Sequence, residues 1–169
     1  MLGLDDAGKT TLVEYFSSNT YVPNLKRTFG MVVTRMLIGE EELPIMFLDV
    51  GGARAFQISL WQSILDEQVS GVIYVINSAA YDRYEEQQVA FSLVLEDPDI
   101  MGLPILILAN KLDQVDDINT VIARLTLALQ LIEAKIDQPD REISLIPISL
   151  KTGLGIEQVI EWIYRVVIS

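Results

Sequence analysis

Short apolar runs alternate along the chain with longer stretches in which apolar residues recur every three or four positions. The runs 45–50, 71–77, 104–110 and 144–149 are rich in Ile, Leu and Val, and each ends in a polar or glycine cluster. Continuous runs of this length fit strands buried on both faces of a parallel sheet. Between them the spacing predicts helices over 9–18, 83–96, 117–135 and 155–167. The first carries Leu12, Val13 and Phe16 on one face, and the second carries Val89 and Leu93 at helical spacing. Segments 28–39 and 45–50, joined by Glu40-Glu41-Glu42-Leu43, predict an antiparallel hairpin on one edge of the sheet. Strand–helix alternation of this kind predicts a doubly wound α/β fold with helices on both faces. No repeat, low-complexity tract or linker divides the sequence, so a single domain over 1–169 is expected.

Composition narrows the chemistry. There is no Cys and no His. Disulfides, cysteine nucleophiles, the usual zinc ligands and serine–histidine pairs are thereby excluded. The formal net charge of −12 opposes nucleic acid and acidic membranes at long range, so no nucleic-acid partner is expected. A polyphosphate would have to be held by a local device. No apolar run reaches the length of a membrane span and no secretory signal opens the chain, so a cytoplasmic setting is expected. Leu2 stands where a myristoylated glycine would, and Val167-Ile168-Ser169 offers no cysteine to a prenyl group.

The local device is at the start. Gly3-Leu4-Asp5-Asp6-Ala7-Gly8-Lys9-Thr10 fits G-x-x-x-x-G-K-[ST], followed by Thr11. Glycines let the backbone wrap so that successive amides point at a phosphate, and the helix starting near Lys9 adds its positive end. Lys9 can reach the β- and γ-phosphates, and the Thr10 hydroxyl can ligate Mg²⁺. Asp49-Val50-Gly51-Gly52 closes an apolar run. Asp49 is placed to hold the same ion through water, and the Gly52 amide to meet a γ-phosphate. Thr28, between the first helix and the hairpin, is a candidate second hydroxyl ligand.

Asn110-Lys111-Leu112-Asp113 ends another run. A carboxylate there accepts two N–H bonds from a guanine edge, and adenine would leave it unpaired. The Lys111 stem can lie along the base. Ser149-Leu150-Lys151 ends the next run, where a backbone amide could meet the guanine carbonyl. Both elements fall at carboxyl ends of strands, where open α/β sheets bind ligands.

These motifs, in order across nearly the full chain, resemble the Ras-like small GTPases. The wording of Gly3 to Thr11, Thr28-Phe29-Gly30-Met31, Leu48-Asp49-Val50-Gly51-Gly52 and Leu60-Trp61 resembles the Arf-like branch. The resemblance implies the P-loop small G-protein fold, a mostly parallel six-stranded sheet with helices on both faces. It implies GTP/GDP and Mg²⁺ as ligands, with both switches ordered by GTP and released on hydrolysis. Phosphate contacts then fall to Gly3, Asp5, Asp6, Ala7, Gly8, Lys9, Thr10, Thr11 and Gly52. The metal falls to Thr10, Thr28 and Asp49, and the base to Asn110, Lys111, Asp113, Ser149, Leu150 and Lys151. Effector, exchange-factor and activating proteins are implied as partners, with reversible peripheral membrane contact and a part in vesicle traffic.

Three departures stand out. Ala53 occupies the position at which the family usually has a water-orienting glutamine, which predicts slow hydrolysis. Gln57 is the remaining candidate for that role. Only Met1 and Leu2 precede the phosphate loop, so the first strand is expected to be missing or cut short. That strand belongs between the one ending at Asp49 and the one starting at Gly71, and its loss would open a gap in the sheet; a truncated chain or a mis-assigned start is the expectation. The stretch between Asp113 and Ser149 is expected to add a turn to the helix near 120–135 and a loop at Gln138-Pro139-Asp140. Three functions remain open: a GTP-dependent switch and weak GTPase, a GTP-binding scaffold with negligible hydrolysis, and an ATP-dependent enzyme, against which Asn110 to Asp113 speaks. Phe29, Phe56, Trp61, Tyr74 and Tyr81 are candidate effector contacts, and a core role is favoured for Tyr74.

Overall fold

The computed structural model describes residues 1–51 and 69–168. Strands β1 (Met31–Ile38) and β2 (Leu43–Val50) form the expected hairpin, in register from Met31 opposite Val50 to Ile38 opposite Leu43. Strands β3 (Val72–Asn77), β4 (Ile105–Asn110) and β5 (Ile143–Pro147) form a parallel sheet in the order β3-β4-β5. β4 is buried along its whole length, as its unbroken apolar composition requires. The last strand ends earlier than the apolar run, and Ser149 instead bridges Leu154 across the following turn.

Residues 1 and 2 join the two sheets. Leu2 pairs in parallel with Tyr74, donating to the Ile73 carbonyl at 2.8 Å and accepting from the Val75 amide at 2.8 Å. Met1 donates its amino group to the Leu48 carbonyl at 2.6 Å and accepts from the Val50 amide at 3.4 Å. These residues stand where the sequence places the first strand, between β2 and β3. A pocket of about 240 Å³ lies beside them, lined by Ile45, Phe47, Ile73, Trp162 and neighbours. Burial of the Met1 ammonium lowers its pKa to about 5.

Helices α1 (Lys9–Ser18), α2 (Tyr84–Glu96), α3 (Ile118–Ala128), α4 (Leu131–Asp137) and α5 (Ile156–Ile168) cover both faces. Side chains alternate along a strand, so each sheet face builds its own core. Tyr74, Ile76 and Ile107 pack with Phe91 of α2 and Leu125 of α3 on one face. Val75, Leu106 and Leu108 pack with Leu12 of α1 and Trp162 of α5 on the other.

One expected helix is found a residue shorter, and one helix expectation is corrected. The helix expected over 83–96 begins at Tyr84, after a 3-10 turn over Tyr81–Arg83, and it buries Gln87, Ala90, Phe91 and Val94. Val89 and Leu93 lie on the opposite side and are exposed. Tyr74 fixes that choice of face, since its ring packs against Phe91 and its hydroxyl donates to Gln87 Oε1 at 3.1 Å. The single helix expected over 117–135 is two helices, interrupted where Gln130 takes φ 51°, a left-handed conformation that ends an α-helix. Its start is as the sequence implies: Asp117 caps α3 by accepting from the Asn119 and Thr120 amides.

Candidate functional site

Leu2 delivers the chain from the sheet into a loop that turns back on itself. Gly3 has φ +128° and Gly8 φ +102°, values that glycine adopts without a side-chain clash. A Cβ on Gly3 would lie 2.1 Å from the Val75 carbonyl oxygen, and one on Gly8 would lie 2.4 Å from Asn110 Nδ2. Gly8 is the N-cap of α1 and supplies no side-chain cap, so the first amides of the helix face the loop. Lys9 is buried and its Nζ donates to the carbonyls of Gly3 at 2.9 Å and Leu4 at 2.8 Å. Burial lowers its pKa from 10.5 to about 8, although Asp49 and Asp5 oppose the shift.

Next to the loop, Thr10, Thr28 and Asp49 converge. Thr10 Oγ1 lies 2.6 Å from Thr28 Oγ1 and donates to Asp49 Oδ2 at 2.6 Å; Thr28 Oγ1 lies 3.3 Å from the same oxygen. Asp49 is buried at the end of β2, and its Oδ1 has no hydrogen-bond partner among the described residues. An orphaned carboxylate oxygen beside two hydroxyls is an all-oxygen donor set of the kind that suits Mg²⁺ with phosphate and water completing the shell. The segment around Thr28 and the end of β2 are also in contact: the Gly51 amide donates to the Gly30 carbonyl at 2.8 Å, and a Cβ on Gly51 would lie 2.6 Å from the Thr28 carbonyl oxygen.

At the far end, β4 stops at Asn110 and the chain turns through Lys111, φ 65°. Asn110 Nδ2 donates to the Ala7 carbonyl at 2.9 Å, and its Oδ1 lies 3.5 Å from the Leu150 amide nitrogen. One buried amide thus fastens the phosphate loop to the segments ending β4 and β5. Asp113 Oδ1 accepts from Ser149 Oγ at 2.7 Å, and Lys151 Nζ lies 3.7 Å from Asp113 Oδ2.

A cavity of about 630 Å³ runs between these elements, lined by Asp5, Asp6, Gly8, Lys9, Thr10, Thr11, Thr28, Asn110, Lys111, Asp113, Leu150 and Lys151. Gly3, Ala7, Asp49 and Ser149 are buried behind that lining and reach it through the hydrogen bonds above. Gly52, Ala53, Gln57, Phe56 and Trp61 lie outside the described residues. Of the other candidate effector contacts, Phe29 is 80% exposed and Tyr81 45%, whereas Tyr74 is fully buried. Burial raises the pKa of the Tyr74 phenol well above the usual range.

Sequence reasoning missed Arg83 and Asn77. Arg83 donates to the Asp5 carbonyl at 3.1 Å and pairs with Asp5 Oδ1 at 2.7 Å and Glu86 Oε2 at 2.9 Å. The hydrogen bond from Arg83 leads the causes that hold the Asp5 carboxyl below its ordinary pKa. Asn77 Nδ2 donates to Asp6 Oδ2 at 3.1 Å. The rule that ligands gather at carboxyl ends of parallel strands would have found Asn77. Nothing local marks Arg83.

Residues 1–167 match the model of the ADP-ribosylation factor family. The chain belongs to that family. It is 34% identical to ADP-ribosylation factor-related protein 1 of Homo sapiens, over 99% of this chain and 83% of that protein. It is 30% identical to ADP-ribosylation factor-like protein 3 of Saccharomyces cerevisiae, over 96% and 81%. The fold is also that of the Arl6 BBS3 small GTPase from Trypanosoma brucei, solved with bound nucleotide analogue GppNp, at TM-score 0.77 and 24% identity over 98% of this chain and 93% of that one. The family resemblance carried by the motifs and the expected small G-protein fold are thus both found. Among the described residues no helix is long and apolar enough to cross a membrane.

Proposed function

We propose that this member of the family is a guanine-nucleotide-binding switch that holds GTP or GDP with Mg²⁺ and hydrolyses GTP slowly. The observation that carries the reading is Asn110, whose one side chain ties the phosphate loop to both base-end segments around a single cavity. The amides from Gly3 to Thr11 would cradle the phosphates with Lys9, and the Gly52 amide would meet the γ-phosphate. Thr10, Thr28 and Asp49 would hold the ion, which neutralises phosphate charge when bound. Asp113 would read guanine N–H groups, oriented by Ser149 and Lys151, with the Lys111 stem along the base and the Leu150 amide near the guanine carbonyl. The GTP form would recruit effectors in membrane traffic from a cytoplasmic or peripheral membrane position, through the hairpin and Phe29. Val32, Val33 and Leu37 of β1 are exposed and support that surface. Exchange factors and activating proteins would set the cycle.

The test is to purify the protein in Mg²⁺ buffer, denature it and identify the released nucleotide by chromatography. Guanine nucleotide is the expected result; adenine nucleotide, or none, refutes the reading.

Ala53 favours a second reading, a GTP-binding scaffold with negligible intrinsic hydrolysis, because a methyl group cannot orient water. Single-turnover hydrolysis separates the two. Bound GTP that persists unchanged for hours supports the scaffold, and conversion within an hour supports the slow switch. Ala53→Gln should raise the rate in either case.

A further inference from the structure

Asp5 on the phosphate loop meets two guanidinium groups through separate oxygens, and it needs only one of them. Arg83 lies 2.7 Å from Oδ1, donates to the Asp5 carbonyl at 3.1 Å and is fixed on its other side by Glu86 at 2.9 Å. Arg27 lies 3.4 Å from Oδ2, and its side chain is 76% exposed. The first pair is short, multiply bonded and largely shielded. The second is long and solvated, a setting in which an ion pair contributes little. Asp5 therefore stays paired if Arg27 leaves it.

The position of Arg27 gives the spare charge a use. Arg27 lines the cavity. It directly precedes Thr28, whose hydroxyl lies 2.6 Å from that of Thr10. The residue it touches, Asp5, follows Gly3 and Leu4, whose carbonyls hold the Lys9 ammonium at 2.9 and 2.8 Å. Lys9 and the two threonines mark the end of the cavity where a terminal phosphate belongs, and Arg27 is joined to both through adjacent residues. A terminal phosphate carries about two negative charges, against the single one of Asp5 that Arg83 already balances. It is the stronger partner for a guanidinium, whose fork of N–H donors matches phosphate oxygens.

We propose that Arg27 turns from Asp5 to the γ-phosphate of GTP and stabilises its transfer to water from within the same chain. The inference rests on the guanine-nucleotide reading and adds a catalytic residue to it. In this step a water oxygen bonds to the γ-phosphorus. The bond from that phosphorus to the β–γ bridging oxygen breaks, and its electron pair stays on the departing GDP. One water proton remains on the new P–O–H, and the other passes to a second oxygen of the released phosphate. Negative charge grows on the bridging oxygen during the transfer, and a guanidinium beside it lowers the barrier. Arg27 supplies charge and does not orient the water, so with Ala53 in the chain the reaction stays slow.

The experiment compares the full chain with Arg27→Ala and Arg27→Lys, each also in an Ala53→Gln background so that a slow basal rate hides nothing. Each is loaded with a fluorescent GDP analogue in Mg²⁺ buffer and chased with unlabelled GDP, with and without aluminium fluoride, which beside GDP mimics the phosphoryl group in transfer. The fluoride should slow release from chains that keep Arg27 by about 100-fold, the lower end for transition-state analogues. Arg27→Ala should lose that gain and release GDP alone at an unchanged rate, and Arg27→Lys should keep part of it. Single-turnover hydrolysis should fall about 100-fold in Arg27→Ala, the scale of one lost transition-state donor. A fluoride effect absent from both backgrounds would overturn the inference. So would an equal acceleration of release with and without fluoride in Arg27→Ala, which would make Arg27 only a tether between its segment and the phosphate loop. If no guanine nucleotide loads, the guanine-nucleotide reading falls and this inference with it; loading without a fluoride response removes this inference alone.

Discussion

The hydroxyls of Thr10 and Thr28 lie 2.6 Å apart although 18 positions separate the two residues in the chain. One opens α1 and the other precedes β1, and they meet only because Asp49 at the end of β2 takes both. Three oxygens from three segments are thus gathered at one point. If they serve one Mg²⁺ beside a triphosphate, Thr28 matters to the GTP state above all, since it comes from a segment separate from the phosphate loop and α1. Thr28→Ala should weaken binding of a non-hydrolysable GTP analogue by about tenfold, the value of one charge-assisted contact. GDP binding should change little. Titrations in Mg²⁺ and in EDTA check this, and an equal loss for both nucleotides would assign Thr28 a purely structural role.

Lys9 gives a pH signature. Its folded pKa of about 8 lies below the ordinary 10.5 because burial penalises the charged form. Between those values the unfolded chain holds more protons than the folded one, so stability rises as pH climbs from about 8 toward 10.5. Polyphosphate beside the amine would restore its charge, so nucleotide binding near pH 9 should take up a proton. Calorimetry in two buffers of different ionisation enthalpy measures that uptake directly. Lys9→Met should abolish it, and a wild-type chain that binds with no proton uptake would place Lys9 away from the phosphates.

Asp113 should decide the base. Its carboxylate is fixed by Ser149 at 2.7 Å with Lys151 nearby, so it cannot swing away from a mismatched partner. In Asp113→Asn the amide can donate where the carboxylate only accepted. Guanine nucleotide should bind roughly 100-fold more weakly, as a buried polar mismatch of about 3 kcal/mol implies. Xanthine, which carries a carbonyl in place of the 2-amino group, should gain. Competition assays with GDP and XDP read the exchange of preference, and an unchanged ranking would move base recognition to another residue.

Much of this site was legible because each motif is a contiguous stretch whose backbone does the work. Gly3 and Gly8 announce tight turns, and Asn110 to Asp113 announces a strand-ending loop. The hairpin and the strands were legible from their apolar runs for the same local reason. The motif assigns the Asn110 side chain to the base site, but its bond to Ala7 spans 103 positions and no local pattern encodes it. Arg83 and Asn77 escaped for that reason too, since their partners lie on the phosphate loop far upstream. The choice of buried helix face and the break at Gln130 have a different origin. Val89 and Leu93 obey helical periodicity as well as Ala90 and Val94 do, and the buried stripe is the one that meets Tyr74 and the rest of that core. Gln130 carries no glycine or proline signal, so its left-handed turn was invisible to a reading of helix breakers.

The pocket beside Met1 yields a stability prediction. Met1 is joined in parallel to β2, and Leu2 in parallel to β3. Upstream of them the about 240 Å³ between the strands is lined by apolar side chains from both cores. Adding four apolar, β-branched residues ahead of Met1 should extend that strand into the pocket. It would bury one or two further side chains at about 1.5–3 kcal/mol each. It would also replace a buried ammonium by a neutral amide that still donates to Leu48. A gain of roughly 3 kcal/mol corresponds to a rise in Tm of about 6 °C or more for a chain of this size. The pH profile distinguishes strand completion from nonspecific stickiness. With its folded pKa at about 5 against an ordinary 8.0, the Met1 ammonium makes the 169-residue chain more stable as pH rises from about 5 to 8. That contribution should vanish in the extended chain, because no ammonium remains at Met1. Equal melting temperatures, or an unchanged pH slope, would show that the added residues do not enter the sheet.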